Sequence, residues 1–499
     1  MQCRWFVSVL ALGLLSSSPI LAQKPSAPAK KAAREWITGD SLKDYLTFIA
    51  SDALLGRDTP SPGLDTAAQF MAFFLKRWGF TPMGDNGTFF QKFTLSRVAY
   101  DAPQSGLSVG GHPLSAGRDY VLGAGSGFGE VSGDALLLRV STALPADADL
   151  SGKILVVLGQ RREFDAAAFA KKNGALGLVR LVQGPQEQWE RFAGFRQGRG
   201  GFRPGTTEQP TGLPSIEVGP EAAGRLLEGE PTALDIPQPM TKKLSLRVVG
   251  RVESVSTQNV VALWPGADPK TGGEVVALGA HYDHVGGTAG GTTDNIFNGA
   301  DDDGSGTVAL LSMCEALARG KVKTRRGLLF VWHCGEEKGL WGSAHFVEKP
   351  TVPLEKITAQ LTIDMIGRSK PAGDNNPRNA NLSGPEHIYV IGSRKLSTDL
   401  GSVVDAVNNS FLKLNYDLRY DDPDDPNRFY FRSDHYNYAR KGIPIAFWFD
   451  GVHEDYHRPG DEAARIDFAK MEKVTRTVFL TATTLADLSR RPKVDKPAQ

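Results

Sequence analysis

From Asn259 onward, short apolar runs rich in β-branched and aromatic residues alternate with longer amphipathic stretches, and this alternation constrains the fold more than any other feature. Val260–Trp264, Val275–Ala280, Leu328–Trp332, Gln360–Asp364, Ile388–Ile391 and Ile443–Phe449 read as strands. Gly306–Ala318, Ser397–Asn408 and Ile466–Ala486 read as helices. Such a pattern predicts an α/β domain around a largely parallel or mixed sheet. In sheets of that kind, functional side chains gather where strands end.

Acidic and histidine motifs fall at those ends. His281-Tyr-Asp283-His284 follows the first strong strand, and Asp301-Asp302-Asp303 precedes a helix. Glu336-Glu337 follows the strand GLLFVWHC, Asp364 closes LTID, and Tyr456-His457 comes near the end. Three adjacent acids repel one another unless a cation lies among them, although acids also favour a helix N-terminus. The spacing of a calcium-binding loop is missing. Glu336 and Glu337 point different ways as neighbours at a strand end, so one is free to bind metal while the other faces water. An Asp after apolar neighbours, such as Asp364, needs a partner, and a metal is one. His281 reads as a metal ligand and Asp283 as its carboxylate partner. His284 and Tyr282 read as wall residues. His453-Glu-Asp-Tyr-His457 fits H-E-x-x-H, but that signature works on a helix, and Pro459-Gly460 leaves no room for one. His457 alone is therefore expected to be a ligand.

In this order, GAHYDHVG, NGADDDGSG, EEKGLWGS, IDMIG, SDHYNYARKGIP and DYHRPGD closely resemble the words of peptidase family M28, the dinuclear zinc peptidases. The resemblance covers about 259–470, with weaker support from 36–95. It implies an α/β/α sandwich of the zinc exopeptidase kind around a mixed, largely parallel sheet. It implies two Zn2+ ions, one on His281 and Asp364, the other on Glu337 and His457, with Asp302 bridging. It also implies Glu336 as general base, Tyr456 at the oxyanion, Asp283 beside His281, and a cis peptide between Asp302 and Asp303. Asp434 and His435 would take a structural or pocket role. The activity implied is that of an aminopeptidase acting on peptides. Carboxypeptidase or dipeptidase action remains open, because Arg368, Arg428 and Arg432 could seat a carboxylate. A glutaminyl cyclase or a noncatalytic peptide binder fits less well. Segments 369–386 and 415–432 are expected to form the pocket, with Asp421, Asp422, Asp424 and Asp425 in a solvated loop.

The remaining sequence sets the frame. At 499 residues the chain exceeds one ordinary core. Residues 1–22 read as a signal peptide, implying export to a periplasmic or extracellular space, and 23–35 as a disordered spacer. The peptidase-like domain is expected in two parts, 36–99 and 248–490, ahead of a tail at 491–499. Between them, 100–247 has short β-like runs and resembles the protease-associated domain, a small β-rich insert, through SGKILVVLGQ, AAFAKKNGALGLVRLV and LPSIEV. The Gly-rich basic tract 190–205 reads as a solvated loop. Lys and Arg number 57 against 56 Asp and Glu, so bulk charge gives no reason to expect nucleic acid. No later stretch is apolar enough for stable membrane insertion. After Cys3, Cys314 and Cys334 read as buried free thiols.

Overall fold

Three seven-residue strands, Val275–His281, Gly327–His333 and Ile357–Ile363, are buried at every position. A strand with one wet face would alternate, so both faces here are covered. This computed structural model describes residues 24–497 except 124, 142, 160, 197–200 and 291–292. The expected signal peptide therefore lies outside the described residues, as do 197–200 of the Gly-rich tract. The chain divides into two units, one comprising residues up to Phe93 together with those from Thr257, the other Thr94–Ser256.

The largest sheet includes, in order, Gly250–Trp264 (of which residues 257–264 belong to the first unit), Gly327–His333, Val275–His281, Ile357–Ile363, Ile445–Phe449, His387–Ile391 and Asn415–Asp417. The four strands from Gly327–His333 to Ile445–Phe449 are parallel, with antiparallel neighbours on either side. The sheet is thus mixed with a parallel centre. Two groups of helices cover it. Gly306–Arg319 and Phe468–Asp487 form one group with Ala27–Trp36 and Gly39–Ile49, and Trp341–Glu348 and His435–Ala439 form another. Gly306–Arg319 is buried from Gly306 through Leu317, which suits a helix lodged between the sheet and other helices. Val276, Leu329, Val331 and Leu361 are fully buried, and each such side chain contributes roughly 1.5–3 kcal/mol. This apolar middle lets the strand ends carry charge.

Residues 23–35 are not a disordered spacer where they are described. Ala27–Trp36 is a helix, capped by the Ser26 hydroxyl, with Pro28 in its first turn and Ala29, Ala32 and Ala33 buried. Its alanines lie on one face and allow close approach, while Arg476 Nε donates to the carbonyls of Ala33 and Ile37 at 3.1 and 2.8 Å. The Ala- and Lys-rich composition was suited to either state, and packing decided between them.

The second unit has a six-stranded sheet in which Ala135–Arg139, Ile154–Leu158, Gly177–Leu181 and Ser215–Val218 run parallel. A four-stranded antiparallel sheet holds Gly106–Val109, Gly129–Gly133 and Leu244–Val248. Leu137, Ile154, Val179, Ile216 and Leu246 form its core, and Ala166–Lys172 is helical. Gln186–Arg196 continues as helix into the tract read as a loop. No helix among the described residues is long and apolar enough to cross a membrane.

Candidate metal centre

The parallel register sets His281 level with His333, and Glu336 and Asp364 follow directly after neighbouring strands. The acid triplet enters from the loop before Gly306–Arg319, through a cis Asp302–Asp303 peptide. Its three carboxylates take different tasks. Asp301 Oδ1 accepts from Gly367 N at 2.6 Å, and Oδ2 lies 3.3 Å from His453 Nε2. Asp303 accepts from the backbone N–H groups of His281, Gly306 and Met365 at 3.2, 2.8 and 3.2 Å, tying two strand ends to the helix start. Asp302 alone turns both oxygens into the centre.

Asp302 Oδ1 is 3.2 Å from His281 Nε2, which is also 3.6 Å from Asp364 Oδ1. Asp302 Oδ2 is 3.1 Å from His457 Nε2, which lies 2.9 Å from Glu337 Oε2. Glu336 Oε2 stands 3.9 Å from His281 Nε2. Among the described residues, two donor groups are spaced to hold an ion: His281, Asp302 and Asp364, and His284, Asp302, Glu337 and His457. They share Asp302. All eight residues expected at the site lie in this region, although Asp283 acts differently from its expected role. The Asp283 carbonyl oxygen, at 3.1 Å, is what meets His281 Nδ1, while the carboxylate stands 3.7 Å away and accepts from Glu336 N at 3.2 Å. Asp283 thus orients both sides of the site.

The electrostatics call for a cation. Burial works against charge on Asp302, yet His281 and His457 hold its carboxyl well below the usual range. Burial opposes a charged His457 too, but Asp302 and Glu337 lift it to about 10. Glu336 is pushed well above its ordinary value by burial, against His281 and with help from Asp364 and Glu337. His281 Nε2, His457 Nε2 and Asp302 Oδ2 are buried without a hydrogen-bond partner, despite the short distances between them. Buried donors converging without hydrogen bonds are the arrangement a metal ion satisfies.

Several supports had no local signal in the sequence. Arg57 is fully buried and donates to the carbonyls of Tyr282, Ile49, Asn298 and Gly299 at 2.9, 2.5, 2.7 and 2.9 Å, fastening the loops that carry His281 and Asp302. Burial lowers its guanidinium to about 10, against the pull of Asp283 and Asp461. The Asp461 carboxylate accepts from Asp301 N and Asp302 N, each at 3.1 Å. His284 is no mere wall: its Nδ1 lies 2.7 Å from Glu337 Oε1. His453 is away from the donor groups, in non-helical chain, held by Arg368 at 3.2 Å. Asp434 faces His333 at 3.3 Å, and His435 Nε2 donates to the Tyr430 carbonyl at 2.8 Å; both are buried outside the pocket. Cys314 and Cys334 are buried free thiols.

Beside the donors opens a cavity of about 320 Å³ lined by Leu340, Met365, Phe429, Phe431, Phe447, Phe449 and Val452. Segment 415–432 contributes Phe429, Phe431 and Arg432, but the expected segment 369–386 contributes nothing. Tyr456 lines the cavity, stacks on His457 at 3.9 Å and accepts from Arg432 at 3.4 Å. Arg368 is spent on Asp455 at 2.8 Å and does not line it.

Residues 259–482 match the model of peptidase family M28. That stretch, a little under half of the chain, is similar to the family. A probable leucine aminopeptidase 2 of Aspergillus oryzae is 28% identical over 309 residues, covering 56% of each chain. Leucine aminopeptidase 2 of Trichophyton equinum is 25% identical over 286 residues, or 51% of each. The chain therefore spans about half the length of the curated relatives it matches. An aminopeptidase from Aneurinibacillus sp. strain AM-1 shares the fold, with a TM-score of 0.50 at 18% identity, over 94% of this chain and 100% of that one.

Proposed function

We propose that this chain is a zinc-dependent aminopeptidase that removes the first residue from peptides. The observation that carries the reading is Asp302, whose two oxygens face separate donor groups beside Glu336 and an apolar pocket. His281 and Asp364 would hold one ion, Glu337 and His457 the other, and Asp302 both. Mixed imidazole and carboxylate donors suit zinc. Two such ions supply Lewis-acid polarisation and an acidified water. Within this frame, Glu336 takes the proton of the attacking water and returns it to the leaving amine. Tyr456 donates its O–H to the carbonyl oxygen, where negative charge develops. Carboxylates beside the centre attract the free α-amine of the first residue, and the phenylalanine-lined pocket receives its apolar side chain. The names of the fungal relatives support the same reaction, and the leader-like residues 1–22 support an exported enzyme.

Arg432 favours one second reading, action next to a free carboxylate, because it lines the cavity and forms no ion pair among the described residues. One panel separates the two. Peptides with free or acetylated N-termini, and with free or amidated C-termini, are assayed before and after chelation and zinc return. Zinc-dependent release of the first residue from free-amine peptides, whatever the C-terminus, is the expected result. Equal cleavage of acetylated peptides would overturn it.

A further inference from the structure

Glu337 is engaged at both carboxylate oxygens, and the two partners differ in kind. Oε2 lies 2.9 Å from His457 Nε2, which is itself 3.1 Å from Asp302 Oδ2. Neighbouring ligand atoms on a tetrahedral zinc, at about 2.0–2.2 Å from the ion, stand roughly 3.3–3.6 Å apart, so this grouping is close to ligand spacing. Oε1 meets His284 Nδ1 at 2.7 Å, a hydrogen-bond distance, while that nitrogen stays 3.8 Å from Asp302 Oδ2. An ionised carboxylate can only accept, so Nδ1 carries the proton and is not free to bind metal.

The ring has little freedom. His284 is fully buried, its backbone N–H donates to the Arg57 carbonyl at 3.2 Å, and its Cγ lies against Gly299. A Cβ at position 299 would come within 2.5 Å of that carbon, so the glycine makes room for the imidazole. A fixed donor thus meets the oxygen that His457 leaves free.

We propose that His284 is a positioning residue that holds Glu337 to ligation through Oε2, and so sets the affinity of the ion position formed with Asp302 and His457. The proposal rests on the two-position reading above. Hydrogen-bond partners of metal ligands typically change affinity by about 10–100-fold. The position formed by His281 and Asp364 has no such contact with His284 and keeps its affinity.

The test is zinc binding by the stripped full-length protein, followed by competition with a chromophoric chelator and by calorimetry. Wild type is compared with His284→Ala, His284→Asn and His284→Gln. Asparagine can place an amide N–H where Nδ1 sits, and glutamine carries its amide one bond further. The expected result is two zinc equivalents for wild type, with one weakened about 10–100-fold in His284→Ala, recovered largely in His284→Asn and poorly in His284→Gln. Wild-type affinity at both positions in His284→Ala would overturn the proposal. So would failure of asparagine to restore more than alanine, which would make the imidazole itself the ligand. Weakening of both positions together with a lowered melting temperature of the stripped protein would assign His284 to the fold. Fewer than two equivalents in wild type would sink the two-position reading, and this proposal with it.

Discussion

At the ends of Val275–His281, Gly327–His333 and Ile357–Ile363, carboxylates and imidazoles are withdrawn from water, with Asp283 at 0% and His281 at 1% exposure. The second unit also has parallel strands, and beyond Ile154–Leu158 and Gly177–Leu181 it too gathers charge. There Arg162, Glu163 and Asp165 are exposed around a cavity of about 810 Å³, much larger than the 320 Å³ beside the two donor groups. Size therefore ranks the two places wrongly. Exposed ions are solvated and worth little to one another, whereas buried ones demand partners. Among the described residues, both metal-competent groups lie in the first unit. Parallel sheets offer strand ends in both units, but only burial turns such an end into a centre that must be completed.

The largest effect comes from removing the shared carboxylate. Under the proposed two-ion reading Asp302→Ala would take a ligand from both positions, and peptide hydrolysis is expected to fall to the level of the chelated protein. Zinc content and initial rates measured together check this. Retention of both ions, with rates within about tenfold of wild type, would break the comparison, because burial would then not dictate occupancy. Next in size is Glu336→Gln, which keeps shape but cannot take a proton. Its kcat should drop by about 10²–10⁴-fold while both zinc equivalents remain. Loss of zinc instead would make Glu336 a ligand.

How much of this was legible depends on the range of each interaction. Strands such as Leu328–Trp332 and the helix from Gly306 were readable because periodicity is local. The donors were readable because short words carry them at strand ends. What was hidden acts across the chain. Arg57 reaches carbonyls 225 and 242 residues away, with no neighbouring motif to mark it. Asp303 was readable as the turn after Asp302, but its three backbone donors come from segments the sequence cannot bring together. His284 was undervalued for the same reason, since Glu337 is 53 residues distant. Ala27–Trp36 is not legible locally, because its helix depends on docking.

His435 sharpens the comparison from the other side, as a buried imidazole stacked on Phe447 and outside both donor groups. Burial lowers it from 6.5 to about 4, against the raising effects of the Tyr430 carbonyl and Asp434. The unfolded chain therefore binds the extra proton between those values, so stability is complete above pH 6.5 and lost as pH falls towards 4. The window is worth roughly 3 kcal/mol. Urea unfolding at several pH values, with chelator throughout so that ion loss does not contribute, should show a flatter acid limb for His435→Gln. An unchanged limb would mean that other groups set the acid response.

The smallest expected effect belongs to the large cavity of the second unit. Arg162 is exposed there, and truncating an exposed charge typically shifts stability by no more than about 0.5 kcal/mol. Arg162→Ala should therefore keep both zinc equivalents and cleave a free dipeptide at a kcat within about twofold of wild type, or 0.4 kcal/mol. The same variant assayed on a long acidic peptide gives the comparison its finer edge. If solvated charge does nothing for binding, KM for that peptide stays as it was. A KM raised severalfold at low salt, and restored towards wild type as salt rises, would show that these strand ends recruit substrate by long-range attraction. In that case exposure would mark a steering surface, and burial would mark only where the chemistry occurs.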